Sequence, residues 1–261
     1  MNNNELPGLD LWKGSRDLRF VMEQRLPDLS EQRRKEMLML VQRVQPASKN
    51  YINTRIKRYH SVILAEDGQG LAAFQFIEQF EVNGDAFIYL GPLFSRGYAF
   101  MFLFLQFYNC LTTKYRNRVF HLMAEVQNPE VFLFFKTLFW RITVPRVKED
   151  HIPQKAVYIA KIYAERISHI GRIDETVLST HSDQTLYKVS KGYEDVMNWL
   201  HSRGVHLEQG DSQMLLISWL GNEEDRHRHL QDFEDGLKKL QQWKTYKRIM
   251  LQCFKERTAH A

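Results

Sequence analysis

The stretch "SVILAEDGQGLAAFQFIEQFEVNGDAFIYLGPL", residues 61–93, contains three apolar runs separated by two turn signals. The turn signals are Asp67-Gly68 and Asn83-Gly84, dipeptides that favour tight hairpin turns because glycine adopts a positive φ at little cost. The pattern predicts an antiparallel meander of three strands, near 61–66, 71–81 and 86–91. It is the clearest signal of fold in the chain.

The segment after the meander is a small basic turn followed by a long apolar run, residues 97–113. We expect the chain to leave the sheet at Gly91-Pro92 and to enter a buried helix near 97–114. A membrane-spanning helix needs about 20 mostly apolar residues, and this run is shorter and is bracketed by Arg96 and Lys114. A peripheral membrane protein that uses 98–111 as an apolar wedge is a further alternative.

The remaining segments predict alternating helices and strands. Apolar spacing predicts two helices within residues 15–45, the first capped by Ser15 and ended by Pro27. Further elements are expected as a strand near 118–126, a helix from Asn128-Pro129, a strand over 156–167, a helix over 192–204 ended by Gly204, a strand near 213–219 and a long helix over roughly 223–256. The fold class is therefore α/β (α+β), with a mixed, mostly antiparallel sheet flanked by helices. We expect a core at 1–150 that includes the N-terminal helices, and a C-terminal α/β extension at 151–261 that ends in the long helix.

Composition narrows the function classes. The 261 residues carry a formal net charge of +5, which favours anionic partners, although simple solubility explains it as well. Two cysteines are too few for a disulfide scaffold or a zinc site. His227 and His229 lie two residues apart on a predicted helix and diverge, so we expect no metal. The N-terminal residues do not read as a secretory signal, and we expect a cytoplasmic protein without a membrane span.

The turn "SRGYA", residues 95–99, stands at the start of the predicted apolar helix. Backbone N–H groups at a helix start bind phosphate oxygens, and the helix dipole adds to this attraction. Arg96 would add a charge-assisted contact to a diphosphate. The alternative is an ordinary strand–helix connection with an arginine that faces solvent.

The same residues resemble the GCN5-related N-acetyltransferases (the GNAT superfamily). That family has a loop of the form Gln/Arg-x-x-Gly-x-Gly/Ala at a helix start, and "FSRGYA" at 94–99 matches it at Gly97 and Ala99. Phe94 stands where the family has Gln or Arg. The segment "NPEVFLFFKTLFW", 128–140, is similar to the family's next helix, with Asn128 in place. The resemblance covers about residues 60–145.

The resemblance implies an acyltransferase that uses acyl-CoA, either acetyl-CoA or a longer acyl chain, or an acyl-carrier protein. An amine or a hydroxyl would be the acceptor, and the acyl-pantetheine arm would enter a sheet that is splayed between two strands. The residues that the resemblance assigns to the cofactor are Leu93, Arg96, Gly97, Tyr98, Ala99 and Asn128.

The catalytic groups are harder to assign, because Phe135 stands where the family has its tyrosine acid. Thioester aminolysis needs a base and preferably a proton for the leaving sulfur. We predict Glu125 and Tyr89 for these roles. Other candidates are Tyr98 and His121 as acids and Glu78 and Glu81 as bases, and a solvated carboxylate on a strand face is the alternative for each glutamate. A catalytically silent domain of the same fold is the second hypothesis, with a ligand-binding or partner role and with the long helix as a contact surface or homodimer interface.

Overall fold

The computed structural model describes residues 18–44, 49–97, 99–147, 149, 151–168, 170–181, 192–207, 212–221, 223–240 and 246–258. Its strands are β1 (Arg19–Arg25), β2 (Ser61–Asp67), β3 (Gly70–Val82), β4 (Asp85–Ser95), β5 (Phe120–Val126), β6 (Ile173–Asp174), β7 (Ser179–His181) and β8 (Ser212–Leu220). Its α-helices are α1 (Glu31–Val44), α2 (Lys49–Arg58), α3 (Ala99–Lys114), α4 (Pro129–Leu138), α5 (Gln154–Arg166), α6 (Glu194–His201), α7 (Glu223–Leu240) and α8 (Tyr246–Thr258).

The eight strands are hydrogen-bonded in the order β1-β2-β3-β4-β5-β8-β7-β6. The pairs β1–β2, β2–β3, β5–β8, β8–β7 and β7–β6 are antiparallel. Contacts between β4 and β5 advance in the same direction along both strands, from Ala86 with Val119 to Tyr89 with Glu125, so this pair runs parallel. The mixed, mostly antiparallel sheet with flanking helices confirms the predicted fold class.

The chain forms two compact units, Met1–Phe80 with Leu90–Asn117, and Glu81–Tyr89 with Arg118–Ala261. Strands β3 and β4 contribute residues to both units. These boundaries differ from the sequence division at residue 150, and the division into a core at 1–150 and an extension at 151–261 stays a prediction.

In the first unit, the meander is confirmed, but β4 does not end at Gly91-Pro92. It continues to Ser95. Gly91 permits this because a Cβ there would lie 2.5 Å from the ring of Tyr59, and its carbonyl accepts a hydrogen bond from Gln75 (3.2 Å). The strand therefore passes beneath an aromatic ring instead of turning away.

Helix α3 confirms the buried helix predicted after the turn. Nine of its side chains are buried: Ala99, Met101, Phe102, Leu103, Phe104, Leu105, Phe107, Tyr108 and Leu111. It packs against β1 and β2. Within the part of the chain that the structure describes, no helix is both long and apolar enough to cross a membrane.

The first predicted N-terminal helix is wrong, because Arg19–Arg25 is a strand. Phe20 pairs with Ala65 and Val21 with Leu64 of β2. The backbone hydrogen bonds that β2 offers outweigh the weak helical pattern, since tertiary context overrides local propensity. Ser15, the expected cap, lies outside the described residues.

The second predicted helix is confirmed as α1. The Ser30 hydroxyl accepts a hydrogen bond from the backbone N–H of Arg33 (3.1 Å), which satisfies one of the free donors at the helix start. Helix α2 was not predicted.

In the second unit, residues 154–166 form α5 where a strand was predicted over 156–167. Ala156, Ala160 and Tyr163 are buried at helical spacing, whereas Tyr158 is exposed. The spacing of the apolar residues fits both the period of a strand and the period of a helix. The segment is a helix because one of its faces packs on the rest of the second unit while the opposite face is exposed to solvent.

The predicted strands at 118–126 and 213–219 are confirmed as β5 and β8. The helices predicted to start at Asn128-Pro129 and to end before Gly204 are confirmed as α4 and α6.

The predicted long helix over 223–256 is two helices, α7 and α8, which contact α4 and each other. Residues 241–245 lie outside the described residues. Phe233 is buried, with its ring 5.7 Å from that of Phe139, whereas Leu230 is 47% exposed. Phe233, one residue of the predicted apolar stripe, is therefore part of the core of the second unit. A homodimer through this region stays a prediction.

Candidate functional site

Tyr163 of α5 joins the backbones of the parallel strands β4 and β5. Its buried hydroxyl accepts a hydrogen bond from the N–H of Ile88 (3.1 Å). It also lies within donating distance of the carbonyl oxygens of Ile88 (2.8 Å) and His121 (2.9 Å). Burial raises the pKa of Tyr163 well above its usual value, so the hydroxyl keeps its proton. A side chain from α5 thus takes part in holding these two strands together at this level.

Tyr89, the residue after Ile88 in β4, forms a hydrogen-bonded cluster with Glu125 and Thr180. The Tyr89 hydroxyl donates to Oε2 of Glu125, and the Thr180 hydroxyl donates to Oε1 (2.5 Å). Tyr89 and Thr180 are buried, and Glu125 is half-buried. Each carboxylate oxygen of Glu125 therefore accepts a hydrogen bond from a hydroxyl group, and the residue as a whole is half-buried.

The structure thus brings together Tyr89 and Glu125, the two residues predicted for catalysis. Sequence reasoning missed Thr180, which lies in the three-residue strand β7. Nothing in the local sequence distinguishes this threonine. Its position depends on β7 pairing with β8, where Thr180 lies opposite Gln213, and on β8 pairing with β5, where Leu215 lies opposite Glu125.

His121, considered above as an acid, has a different partner. Its Nε2 lies 3.1 Å from a carboxylate oxygen of Asp85, and its ring packs on Phe87 with centroids 4.4 Å apart. Burial lowers the pKa of His121, an effect that Asp85 partly opposes. The imidazole is therefore held neutral and is poorly suited to protonate a leaving group.

The two alternative bases, Glu78 and Glu81, are also hydrogen-bonded or ion-paired. Glu78 accepts hydrogen bonds from the backbone N–H of His60 (3.0 Å) and contacts its ring nitrogen (2.5 Å). Glu81 forms an ion pair with Arg118 (2.9 Å) at the surface. Glu125 also has partners, but one of them is a tyrosine hydroxyl that can exchange a proton with it, so Glu125 is the better candidate.

The basic turn lies in the first unit. Gly97 adopts φ +56°, and the space where a Cβ would stand is open. The hydroxyl of Ser95 accepts a hydrogen bond from the N–H of Phe100 (2.9 Å), in the first turn of α3. Ala99 is buried, and Tyr98 lies outside the described residues. The N–H of Ala99 also donates to the carbonyl oxygen of Arg96 (3.4 Å), so two donors at the helix start are satisfied by the chain itself.

Arg96 does not project freely from this turn. Its Nη2 contacts both carboxylate oxygens of Asp67 (2.8 and 3.0 Å), and its Nη1 donates to the side chain of Gln69. Asp67 and Gln69 belong to the β2–β3 hairpin. The guanidinium therefore ties the turn to this hairpin, and its charge is balanced by a carboxylate.

The two phenylalanines that depart from the family pattern lie in apolar clusters. Phe94 is buried, with its ring 5.2 Å from Phe74 and 6.5 Å from Tyr51. Phe135 is buried beside Phe134 (6.4 Å) and Phe139 (5.9 Å). A polar side chain at either position would have to enter these clusters, which explains the apolar residues.

The remaining predicted contacts have these positions. The Asn128 side chain caps α4, because its Oδ1 accepts a hydrogen bond from the N–H of Glu130 (2.8 Å). Leu93 is half-buried on β4 in the first unit. Asn128 belongs to the second unit, with Tyr89 and Glu125.

No family model and no curated protein matches the chain. Solved structures do match. An acyl-CoA N-acyltransferase from Pseudomonas aeruginosa is 16% identical over 41% of this chain and 79% of its own, with TM-score 0.29. An IAA acetyltransferase from Bacillus cereus is 10% identical over 78% and 99%, with TM-score 0.37. A protein described as an acetyltransferase of the GNAT family, from Desulfovibrio desulfuricans, is 10% identical over 78% and 98%, with TM-score 0.34.

The observed order of elements is a meander, a glycine turn, a helix, a parallel strand and a helix capped by Asn128. It is the order on which the resemblance in sequence rests. The three solved structures are at most 16% identical to this chain, with TM-scores of 0.29 to 0.37.

Proposed function

We propose that the protein is an acyltransferase that moves an acyl group from acyl-CoA, or from an acyl-carrier protein, to an amine or hydroxyl acceptor. The observation that carries the proposal is the cluster of Tyr89, Glu125 and Thr180. The carboxylate of a half-buried glutamate that is hydrogen-bonded to a tyrosine hydroxyl is suited to proton transfer.

The cluster can move a proton from the acceptor to the leaving group. The acceptor nitrogen or oxygen attacks the thioester carbonyl, and Glu125 takes its proton. The carbon–sulfur bond breaks as the intermediate collapses, and Tyr89 donates its proton to the sulfur. Tyr89 then recovers a proton from Glu125 through their hydrogen bond, so both residues return to their starting states. No tyrosine is needed at position 135 in this scheme.

The start of α3 is proposed to hold the phosphates of the donor. Gly97 leaves open space beside the helix start, and the N–H groups of the first turn are oriented by the helix. Arg96 would contact the phosphates directly if its ion pair with Asp67 opened. With that ion pair intact, its charge alone would attract them. Leu93, Tyr98, Ala99 and Asn128 remain proposed contacts of the donor.

Two measurements test the proposal. Thiol release from acetyl-CoA and longer acyl-CoAs, with a panel of amines and alcohols, should be abolished or reduced by about 10²-fold or more in Glu125→Gln. The exposed Glu165 of α5 provides the control, since Glu165→Gln should react as the parent does. An unchanged rate in Glu125→Gln would contradict the assigned base.

Binding of the donor is measured separately. Titration with coenzyme A should show saturable binding that weakens in Arg96→Glu and Gly97→Asp. Binding in the parent with no effect of either substitution would place the donor elsewhere. Absence of binding calls for the same titration with an acylated carrier protein.

A catalytically silent domain is the second candidate. The ion pair of Arg96 with Asp67 and the burial of Phe94 and Phe135 favour it, because each removes a group that the family uses. Coenzyme A binding without thiol release for any acceptor would support this function over the first.

A further inference from the structure

The Tyr163 hydroxyl bridges two backbone groups that face each other across β4 and β5. The N–H of Ala86 donates to the carbonyl oxygen of Val119 (3.0 Å), and this bond sets the register of the parallel strand pair. In a parallel ladder the same relation recurs every two residues, so the N–H of Ile88 faces the carbonyl oxygen of His121. The hydroxyl accepts the first of these groups at 3.1 Å and lies 2.9 Å from the second. One side chain of α5 therefore links the backbones of both strands.

The ring of Tyr163 contacts the residues on either side of Ile88. Its centroid lies 5.4 Å from that of the Phe87 ring and 6.4 Å from that of the Tyr89 ring. All three rings are buried. Side chains in a close-packed interior have little room to shift without moving their neighbours. The ring and the hydroxyl of Tyr163 together therefore restrain three consecutive residues of β4.

The hydrogen bond between Tyr89 and Glu125 crosses the same pair of strands. Tyr89 directly follows Ile88 on β4, and Glu125 follows His121 further along β5. A hydrogen bond weakens steeply when its distance or its angle departs from the optimum. The contact between the two proposed catalytic residues therefore depends on the separation of the strands that Tyr163 bridges.

We propose that Tyr163 is a positioning residue, which holds β4 and β5 at the separation that lets the Tyr89 hydroxyl donate to Glu125. Tyr163 is 0% exposed, so it acts through Tyr89 and not by contact with a substrate. Its effect on catalysis rests on the function proposed above, whereas its effect on Glu125 is measured without any substrate.

The pKa of Glu125 gives the direct test. In the full chain with ¹³C-labelled glutamate carboxyl groups, the resonance of Glu125 is assigned by its loss in Glu125→Gln. Tyr163→Phe should raise the pKa of Glu125, because a carboxylate with a weakened hydrogen bond from its donor is protonated more readily. Tyr89→Phe, which removes that donor, should raise it at least as much. Adding Tyr163→Phe to Tyr89→Phe should cause no further rise, because both substitutions act through the same hydrogen bond.

Ile159→Val is the matched control for a loss of packing. Ile159 is buried on the same helix, and its substitution removes a methyl group but no hydroxyl. It should leave the pKa of Glu125 as it is in the parent. An unchanged pKa of Glu125 in Tyr163→Phe would overturn the proposal. Equal shifts in Tyr163→Phe and Ile159→Val, or shifts of Tyr163→Phe and Tyr89→Phe that add in the double variant, would also overturn it.

Kinetics measure the consequence for acyl transfer. In Tyr163→Phe, kcat should fall by about 10-fold or more while KM for acyl-CoA changes by less than about 2-fold, because the proton transfer is misaligned and donor binding is not. The acid limb of the pH–rate profile should move to higher pH. A lower kcat with an unmoved limb would contradict the positioning role. A parent chain that releases no thiol would contradict the proposed function, and the titration of Glu125 would still decide the role of Tyr163.

A second measurement covers the case in which Tyr163→Phe does not fold. A chain with 3-fluorotyrosine in place of Tyr163 keeps the hydroxyl that bridges the strands. Its ¹⁹F resonance should titrate together with Glu125, and this step should be absent when Glu125→Gln is added. A resonance that does not follow the titration of Glu125 would overturn the proposal.

Discussion

The hydroxyl of Tyr163 accepts the backbone N–H of Ile88 at 3.1 Å, so a side chain of α5 takes part in the backbone hydrogen bonding of β4. The same hydroxyl lies 2.9 Å from the carbonyl oxygen of His121 in β5. We expect Tyr163→Phe to lower the free energy of unfolding by about 1–3 kcal/mol, because it removes a buried hydroxyl that is hydrogen-bonded to the backbones of β4 and β5. Urea denaturation followed by circular dichroism measures this change.

Tyr158, on the same helix, is the control for Tyr163. It is 60% exposed, so Tyr158→Phe should change the free energy of unfolding by less than about 0.5 kcal/mol. If both substitutions have the same small effect, the backbone contacts of Tyr163 do not stabilise the fold.

Thr180 positions the proposed base and should affect its strength. Thr180→Val removes the hydroxyl that donates to Oε1 of Glu125, and a carboxylate that loses a donor is more readily protonated. We expect the acid limb of the pH–rate profile to move to higher pH, with little change in kcat/KM on the plateau above that limb. Thr180→Ser keeps the donor and should restore the position of the limb. A uniform loss at every pH in both variants would indicate a structural role only.

Asp67 should restrain Arg96. Asp67→Asn removes the charge that balances Arg96 but keeps the side-chain oxygen that accepts the N–H of Gln69 (2.8 Å). If the turn binds the phosphates of coenzyme A, the substitution should tighten binding by roughly 3–10-fold, as expected for release of a partly exposed cation. Titration calorimetry at two salt concentrations checks this, with a larger gain at low salt.

Asp28 provides the comparison for that experiment, since its contact with Arg25 (3.8 Å) is an exposed ion pair remote in sequence from the turn. Asp28→Asn should leave the affinity for coenzyme A unchanged. Equal affinities in Asp67→Asn and the parent would show that Arg96 does not contribute to binding.

His229 should make the protein sensitive to acid. Burial lowers the pKa of His229 to about 3, and its ring is stacked on Phe139 at 5.0 Å. The unfolded state, with an ordinary pKa of about 6.5, binds a proton before the folded state does. The stabilising effect of a neutral histidine is therefore complete above about pH 6.5 and is lost as the pH falls towards the folded value, by about 2 kcal/mol at pH 5.

His229→Gln should flatten the dependence of stability on pH between about 8 and 4, even if it lowers stability at every pH. The exposed His227, on the same helix, is the control, and His227→Gln should keep the steep dependence. Urea midpoints across this pH range give the comparison. An unchanged slope in His229→Gln would assign the acid sensitivity to other groups, of which the buried His121 is the first.

Local signals in the sequence were enough to predict several elements of the fold. Asn83-Gly84 fixes the second hairpin, because both residues adopt a positive φ (+52° and +87°), whereas in the first hairpin the positive φ lies on Gly70 (+98°) rather than on the predicted Gly68. The apolar run after Gly97 is long enough to be recognised as a buried helix, and Asn128-Pro129 marks the start of α4 through its cap. These features also determined the order of elements on which the GNAT resemblance rests, and they pointed to Tyr89 and Glu125.

Other features depend on partners far away in the sequence and are visible only in the folded chain. Arg19–Arg25 is a strand because its backbone pairs with that of β2. Residues 154–166 are a helix because one face packs on the rest of the second unit. Arg96 looks like a free cation in sequence, but Asp67, 29 residues earlier, neutralises it. Thr180 meets Glu125 across 55 residues of chain, and Tyr163 reaches β4 across 75. Hydrogen bonds between residues this far apart leave no local pattern, so spacing in the sequence cannot predict them.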